Sequence, residues 1–159
     1  MKRMFVFFAV CLIASAAFAF SSAPASNKAP DITLKDLAGK DVSLRSFQGK
    51  TVMLAFFTTW CPTCREEIPQ LVSIYRSLNR KNFEMLAVNI KESSGVVTSF
   101  ANENRIPFPV LLDNGETANA YHVRYIPTIF IVDKAGKIVF RSNYLPAGDI
   151  EREIKKAVK

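Results

Sequence analysis

Apolar and polar residues alternate over two short stretches near the front of the chain, then give way to longer unbroken apolar runs. Ile32 and Leu34, then Val42 and Leu44, alternate with polar neighbours on either side of Ala38-Gly39-Lys40, which predicts a β-hairpin. Residues 52–57 and 83–89 are apolar runs of strand length, the form a buried strand takes. Between them Ile68, Leu71, Val72, Tyr75 and Leu78 recur at helical spacing, predicting a helix that reaches about Arg80. Pro69 interrupts this helix, and because the periodicity continues beyond it the chain is expected to bend there rather than stop. A helix over 96–104 should turn Val96, Val97, Phe100 and Ala101 to one face. A short strand at Val110-Leu111-Leu112 and a brief helix over 117–121 follow. Residues 129–132 and 138–141 predict a hairpin, and the last helix, over 149–158, should bury Ile150, Ile154, Ala157 and Val158 with Asp149 as its N-cap. There is no internal repeat. Strands alternating with helices, closed by a hairpin and a helix, argue for an α/β fold with a mixed central sheet flanked by helices.

The first residues have a different pattern. Met1-Lys2-Arg3 is a basic start, residues 4–16 are almost all apolar, and Ala17-Phe18-Ala19 has the small-x-small form of a cleavage site. Residues 1–19 are therefore read as a signal peptide cleaved after Ala19. The rival, an uncleaved N-terminal membrane anchor, has a run short of the roughly 20 residues a span needs. Residues 20–29, rich in Ser, Ala and Pro, are expected to be a linker, and residues 30–159 one domain with a core of its own. Cleavage removes Lys2 and Arg3, lowering the formal charge from +7 by two. The remaining excess, with no basic run or aromatic–basic interleaving, suits solubility or acidic protein surfaces better than nucleic acid. The expected location is periplasmic or otherwise extracytoplasmic.

Of three cysteines, Cys11 belongs to the apolar leader, which leaves Cys61 and Cys64. They stand in Trp60-Cys61-Pro62-Thr63-Cys64, between the 52–57 strand and the helix. A strand running into C-x-x-C and then a helix places the first sulfur at a helix N-terminus, where free N–H groups and the dipole favour thiolate. Pro62 suits the first turn, where its missing N–H costs nothing. A structural disulfide closing so small a loop would remove little chain entropy. A zinc site needs about four ligands, and only His122 could join the two sulfurs as a soft donor. A reversible dithiol, with neither metal nor cofactor, is the favoured reading.

These residues resemble the active site of thioredoxin-fold disulfide oxidoreductases, as do Tyr125-Ile126-Pro127-Thr128 ahead of the last hairpin and Pro69 eight residues after Cys61. More narrowly, the chain is similar to the exported TlpA/ResA-type branch, which includes the cytochrome c maturation proteins of the CcmG (DsbE) kind. The features shared with that branch are the N-terminal hairpin, Glu67 three residues after the second cysteine, and a βα insertion around residues 108–113. The resemblance covers roughly residue 30 to the C-terminus. It implies a thioredoxin fold with Cys61 as exposed nucleophile, Cys64 as resolving thiol, and Pro127 as a cis-proline facing them. The backbone of Ile126 would then pair with a client segment, and Trp60, Pro62 and Thr63 would complete the contact surface. Glu67 would exchange a proton with Cys64 or raise the thiol pKa; its alternative is a carboxylate merely well placed early in a helix. Ala55 stands where cytoplasmic thioredoxins keep a buried aspartate, so Glu67 is the substitute proton acceptor. His122 is read as satisfying a local hydrogen bond.

No histidine lies between the cysteines to stabilise a thiolate, which favours a reductant of protein disulfides over a disulfide-forming oxidant. The Pro62-Thr63 dipeptide is similar to that of CcmG-type proteins, making apocytochrome c one candidate client, although Thr128 stands where those proteins carry a glutamate. The family suggests a membrane thiol reductase of the DsbD/CcdA kind as electron donor. A peroxiredoxin reading fails at Leu54, where the required proline is missing. A copper-binding Sco-like reading fails because the cysteines are one residue too close.

Overall fold

In the computed structural model, which describes residues 27–143 and 147–159, the apolar runs assemble into one seven-stranded sheet. The N-terminal hairpin is β1 (Thr33–Asp36) and β2 (Asp41–Ser43), followed by a 3-10 turn at Leu44–Phe47. Then come β3 (Thr51–Phe57), α1 (Pro62–Ser77), β4 (Phe83–Ile90), α2 (Ser94–Glu103) and β5 (Val110–Asp113). A short α3 (Glu116–Ala120), β6 (Thr128–Val132), β7 (Ile138–Ser142) and α4 (Ala147–Val158) complete the chain. The strand order is β2-β1-β5-β4-β3-β6-β7. Strands β3, β4 and β5 are parallel, whereas β1, β6 and β7 pair antiparallel with their neighbours. This is the expected thioredoxin-like sheet, with the hairpin at one edge and β5 and α3 as the inserted βα unit.

The central strands explain why their sequences show no alternation. Every residue of β3 is buried, because both faces of the sheet are covered. Met53, Ala55 and Phe57 enter the core cluster shared with α1, α2 and α4, while Val52, Leu54 and Phe56 enter the opposite one with Ala118 and Tyr121. Edge strand β7 instead alternates half-buried with exposed positions.

Several expectations change. Helix α1 runs through Pro69 as anticipated but ends at Ser77, short of Arg80. In α2 the buried stripe is Val97, Phe100 and Ala101, at i, i+3 and i+4; Val96 falls off that face and is exposed. Helix α4 begins at Ala147, so Asp149 lies within its first turn rather than at the N-cap and pairs with Arg152 at 2.6 Å. The signal peptide, residues 1–19, lies outside the described residues, as do residues 20–26 of the expected linker. Asn27–Ala29 are held against the β6–β7 turn, with Ala29 N–H donating to Gly136 O (2.9 Å) and Ile138 N–H to Asn27 O (2.7 Å).

Two registers build the functional end. Phe57 pairs with Asn89 across β3 and β4, so the loop after each strand leaves the sheet side by side. Phe56 pairs with Thr128, which brings the loop ending at Pro127 alongside the other flank of β3. The cysteine motif thus opens at the carboxyl end of the parallel strands, where open α/β sheets bind ligands.

Candidate active site

Cys61 is the N-cap residue of α1, with extended backbone, and its Sγ accepts the Cys64 N–H at 3.2 Å. Pro62 occupies the first helical position, where no N–H is lost, and Cys64 completes the first turn. The two sulfurs are joined as a disulfide, with Cα atoms 5.3 Å apart. Cys61 was expected to be exposed; in this oxidised form it is 4 % accessible, and Cys64 3 %. Both belong to the core cluster with Ala55, Ile68 and Ile129. Next to them Trp60 and Tyr125 stand out, at 69 % and 71 % exposure. Pro62 is exposed and Thr63 half-buried.

The Ile126–Pro127 peptide is cis. Pro127 is buried, and half-buried Ile126 lies against the cluster that holds both cysteines. Thr128 is fully buried and its hydroxyl donates to the Tyr125 carbonyl, closing the loop on itself. The structure therefore gathers Trp60, Cys61, Pro62, Thr63, Cys64, Ile126 and Pro127 at one end of the sheet.

Glu67 follows Cys64 by three residues on α1, one helical turn away. It is 7 % exposed and its Oε1 has no hydrogen-bond partner among the described residues. Burial pushes its carboxyl up from the ordinary 4.5 to about 7, because the charged form loses its hydration. A carboxyl titrating near neutrality, one turn from a thiol, can take up or return a proton at working pH. His122 plays a different part from the one anticipated. It is exposed in the left-handed region (φ 51°), and its backbone carbonyl, rather than its ring, accepts from Arg141 at 2.9 Å.

Sequence reasoning missed Glu92, in the loop after β4. Its carboxylate accepts the Thr59 N–H at 2.7 Å, the Thr59 hydroxyl, and the Asn89 amide at 2.6 Å. Arg65, in the first turns of α1, donates to the Thr59 carbonyl at 3.0 Å and lies over the Phe100 ring. Thr59, two residues before Cys61, is thus clamped through both of its backbone polar groups. The β3–β4 register was the only signal that could have joined these distant segments.

The arrangement can carry out the reversible conversion of a dithiol to a disulfide next to a proton acceptor. Among the described residues, no group of three or more His, Cys, Asp or Glu is placed to hold a metal ion.

Comparison with known proteins agrees with this geometry. Residues 25–141 match the AhpC/TSA family. The thiol-disulfide oxidoreductase ResA of Bacillus thuringiensis is 36% identical over 113 residues, 70% of this chain and 65% of that protein. ResA of Geobacillus kaustophilus is 36% identical over 129 residues, 80% of this chain and 74% of that protein. The chain thus spans about two thirds of the length of such relatives, slightly less for the first and more for the second. Among solved structures, a DsbE-type thiol:disulfide interchange protein from Chlorobium tepidum superposes with a TM-score of 0.78 at 30% identity, covering 84% of this chain and 97% of that one. The thioredoxin domain of a thiol-disulfide oxidoreductase from Bacteroides vulgatus gives 0.77 at 30% identity, covering 86% and 100%. The chain belongs to the AhpC/TSA family and, within it, to the group of ResA-type thiol-disulfide oxidoreductases.

Proposed function

We propose that this protein carries out thiol–disulfide exchange outside the cytoplasm, as a reductant of disulfides in client proteins. The observation that carries the reading is the Cys61–Cys64 pair capping α1 one turn ahead of the buried Glu67. In the reduced protein the Cys61 thiolate attacks one sulfur of a client disulfide. A bond forms between Cys61 Sγ and that sulfur, and the other client sulfur leaves as a thiolate. Cys64, passing its proton to Glu67, then attacks Cys61 Sγ and releases the second client thiolate. Two electrons move from the protein to the client, and the Cys61–Cys64 disulfide remains.

The direction rests on charge. An ionised Glu67 beside the pair opposes thiolate formation, which favours the disulfide and gives a low potential. Restoring the dithiol takes two electrons and two protons from another dithiol. A membrane thiol reductase of the DsbD/CcdA kind fits that place for an exported domain, and apocytochrome c fits as one client with cysteines to be kept reduced. The opposing reading, a disulfide-forming oxidant, draws on the placement of Cys61 at the helix N-terminus, which favours thiolate.

The midpoint potential of the Cys61–Cys64 couple, equilibrated against a defined thiol buffer, separates them. A value near thioredoxin's, about −270 mV, supports the reductant, and one near DsbA's, about −120 mV, replaces it with the oxidant. Absence of any reversible couple would leave a binding module.

A further inference from the structure

A groove of about 540 Å³ runs beside the loop that ends at Pro127, between that loop, the end of β4 and the short α3. Ile90, Val123 and Ile126 give it apolar walls, and Lys91 and Arg124 stand on its rim. No carboxylate lines it among the described residues, and neither cation is paired with one there. Asp113 at the end of β5 is spoken for, its carboxylate capping Thr117 and Ala118.

Lys91 is held in place by the backbone. Its N–H donates to the Asp113 carbonyl at 2.8 Å, and its φ of 57° is left-handed, a region that suits glycine or asparagine far better than lysine. Its stem lies across Gly115, so closely that a Cβ there would sit 2.2 Å from the lysine Cε. The chain therefore places a lysine where glycine would be easier, and its stem lies over Gly115, whose own φ of 103° already calls for glycine. A residue held in a costly conformation by surroundings that accommodate it invites a functional reading.

We propose that Lys91 and Arg124 form a subsite for a carboxylate side chain of the client, an Asp or Glu near the cysteine under attack. This inference rests on the thiol–disulfide exchange proposed above. Ile126 belongs both to this groove and to the cluster around Cys61 and Cys64, so a client segment laid along the Ile126–Pro127 loop passes the rim cations. Two cations on a groove that no carboxylate lines among the described residues complement an acidic residue and disfavour a basic one.

The test uses the full chain in its reduced form and peptides carrying one cysteine as its mixed disulfide with mercaptoethanol. A single glutamate is stepped through the positions flanking that cysteine, and each peptide is compared with its glutamine counterpart by the second-order rate constant for its single-turnover reduction. At one register or more the glutamate peptide should react about three- to tenfold faster, with the advantage shrinking as salt is raised. The ratio of glutamate to glutamine rates should fall to about one in a Lys91→Gly, Arg124→Gln double variant. Because the ratio is taken within each variant, a general loss of activity does not imitate the effect. Equal rates at every register, or a preference that survives in the double variant, would overturn the subsite while leaving the exchange chemistry intact. A wild-type protein unable to reduce even neutral hydroxyethyl disulfide would overturn the exchange reading, and the subsite with it.

Discussion

The Glu92 carboxylate accepts the Thr59 backbone N–H at 2.7 Å, so the residue two before Cys61 is anchored to the loop after β4. With the Thr59 hydroxyl and the Asn89 amide, the same carboxylate collects three donors. Removing it leaves a buried N–H and a buried amide without their acceptor, a loss of about 1–3 kcal/mol. Glu92→Ala should lower the denaturant midpoint accordingly and slow exchange by loosening the approach to Cys61. Glu92→Gln keeps an acceptor oxygen and should recover much of both. An alanine variant with wild-type stability and exchange rate would show that the clamp contributes nothing.

That clamp marks a boundary of what the chain discloses. Residues 52–57 announce a doubly buried strand because both faces of β3 are covered. Cys61-Pro62-Thr63-Cys64 announces a helix start because proline and an N-cap acceptor have fixed uses there. Glu92 carries no such mark: it sits in a polar loop without periodicity, and its role comes from a register between strands distant in sequence. The same limit applies to Val96, where helix periodicity was right but the phase of the buried face was set by packing. Burial of Cys61 also depends on packing, since the spacing of the motif says nothing about what covers the sulfur.

The two cysteines should respond differently to substitution. Cys61→Ser removes the attacking sulfur, and client reduction should fall by on the order of a thousandfold or more. Cys64→Ser keeps the attack but removes the release step, so mixed disulfides with client proteins should accumulate on non-reducing gels. If the Cys64→Ser protein captures nothing and the Cys61→Ser protein captures adducts, the assignment of the two roles is reversed.

Away from the site, Glu84 is 7 % exposed and held by Arg80, whose Nη2 lies 2.7 and 2.9 Å from its two oxygens, and by the Tyr75 hydroxyl at 3.1 Å. The Arg80 guanidinium also stacks 3.5 Å from the centre of the Tyr75 ring. Arg80→Ala leaves a mostly buried carboxylate facing only a phenol and its own strand, and should cost about 2–3 kcal/mol. Tyr75→Phe removes one hydrogen bond of several and should cost about 1 kcal/mol. Urea denaturation of both variants checks the ranking; an arginine variant no weaker than the tyrosine variant would mean that solvent already screens Glu84.

Glu67 gives the fold a pH dependence of definite sign. Burial raises its carboxyl to about 7 from the ordinary 4.5. Below about pH 4.5 the group is protonated whether the chain is folded or not, and no penalty applies. Between 4.5 and 7 the folded protein still holds the proton that the unfolded chain has released, so stability falls as pH rises. Above pH 7 the full penalty is present, about 3 kcal/mol from a shift of this size. Glu67→Gln cannot ionise, so its stability should be flat over that interval and exceed wild type at alkaline pH. The same variant should slow client reduction, because Cys64 loses its proton acceptor, so stability and activity are expected to move in opposite directions. Denaturant midpoints of the oxidised proteins across the pH range, beside exchange rates of the reduced ones, check both. A glutamine variant whose stability tracks wild type at every pH would mean that Glu67 ionises freely and that its burial has no bearing on the thiols.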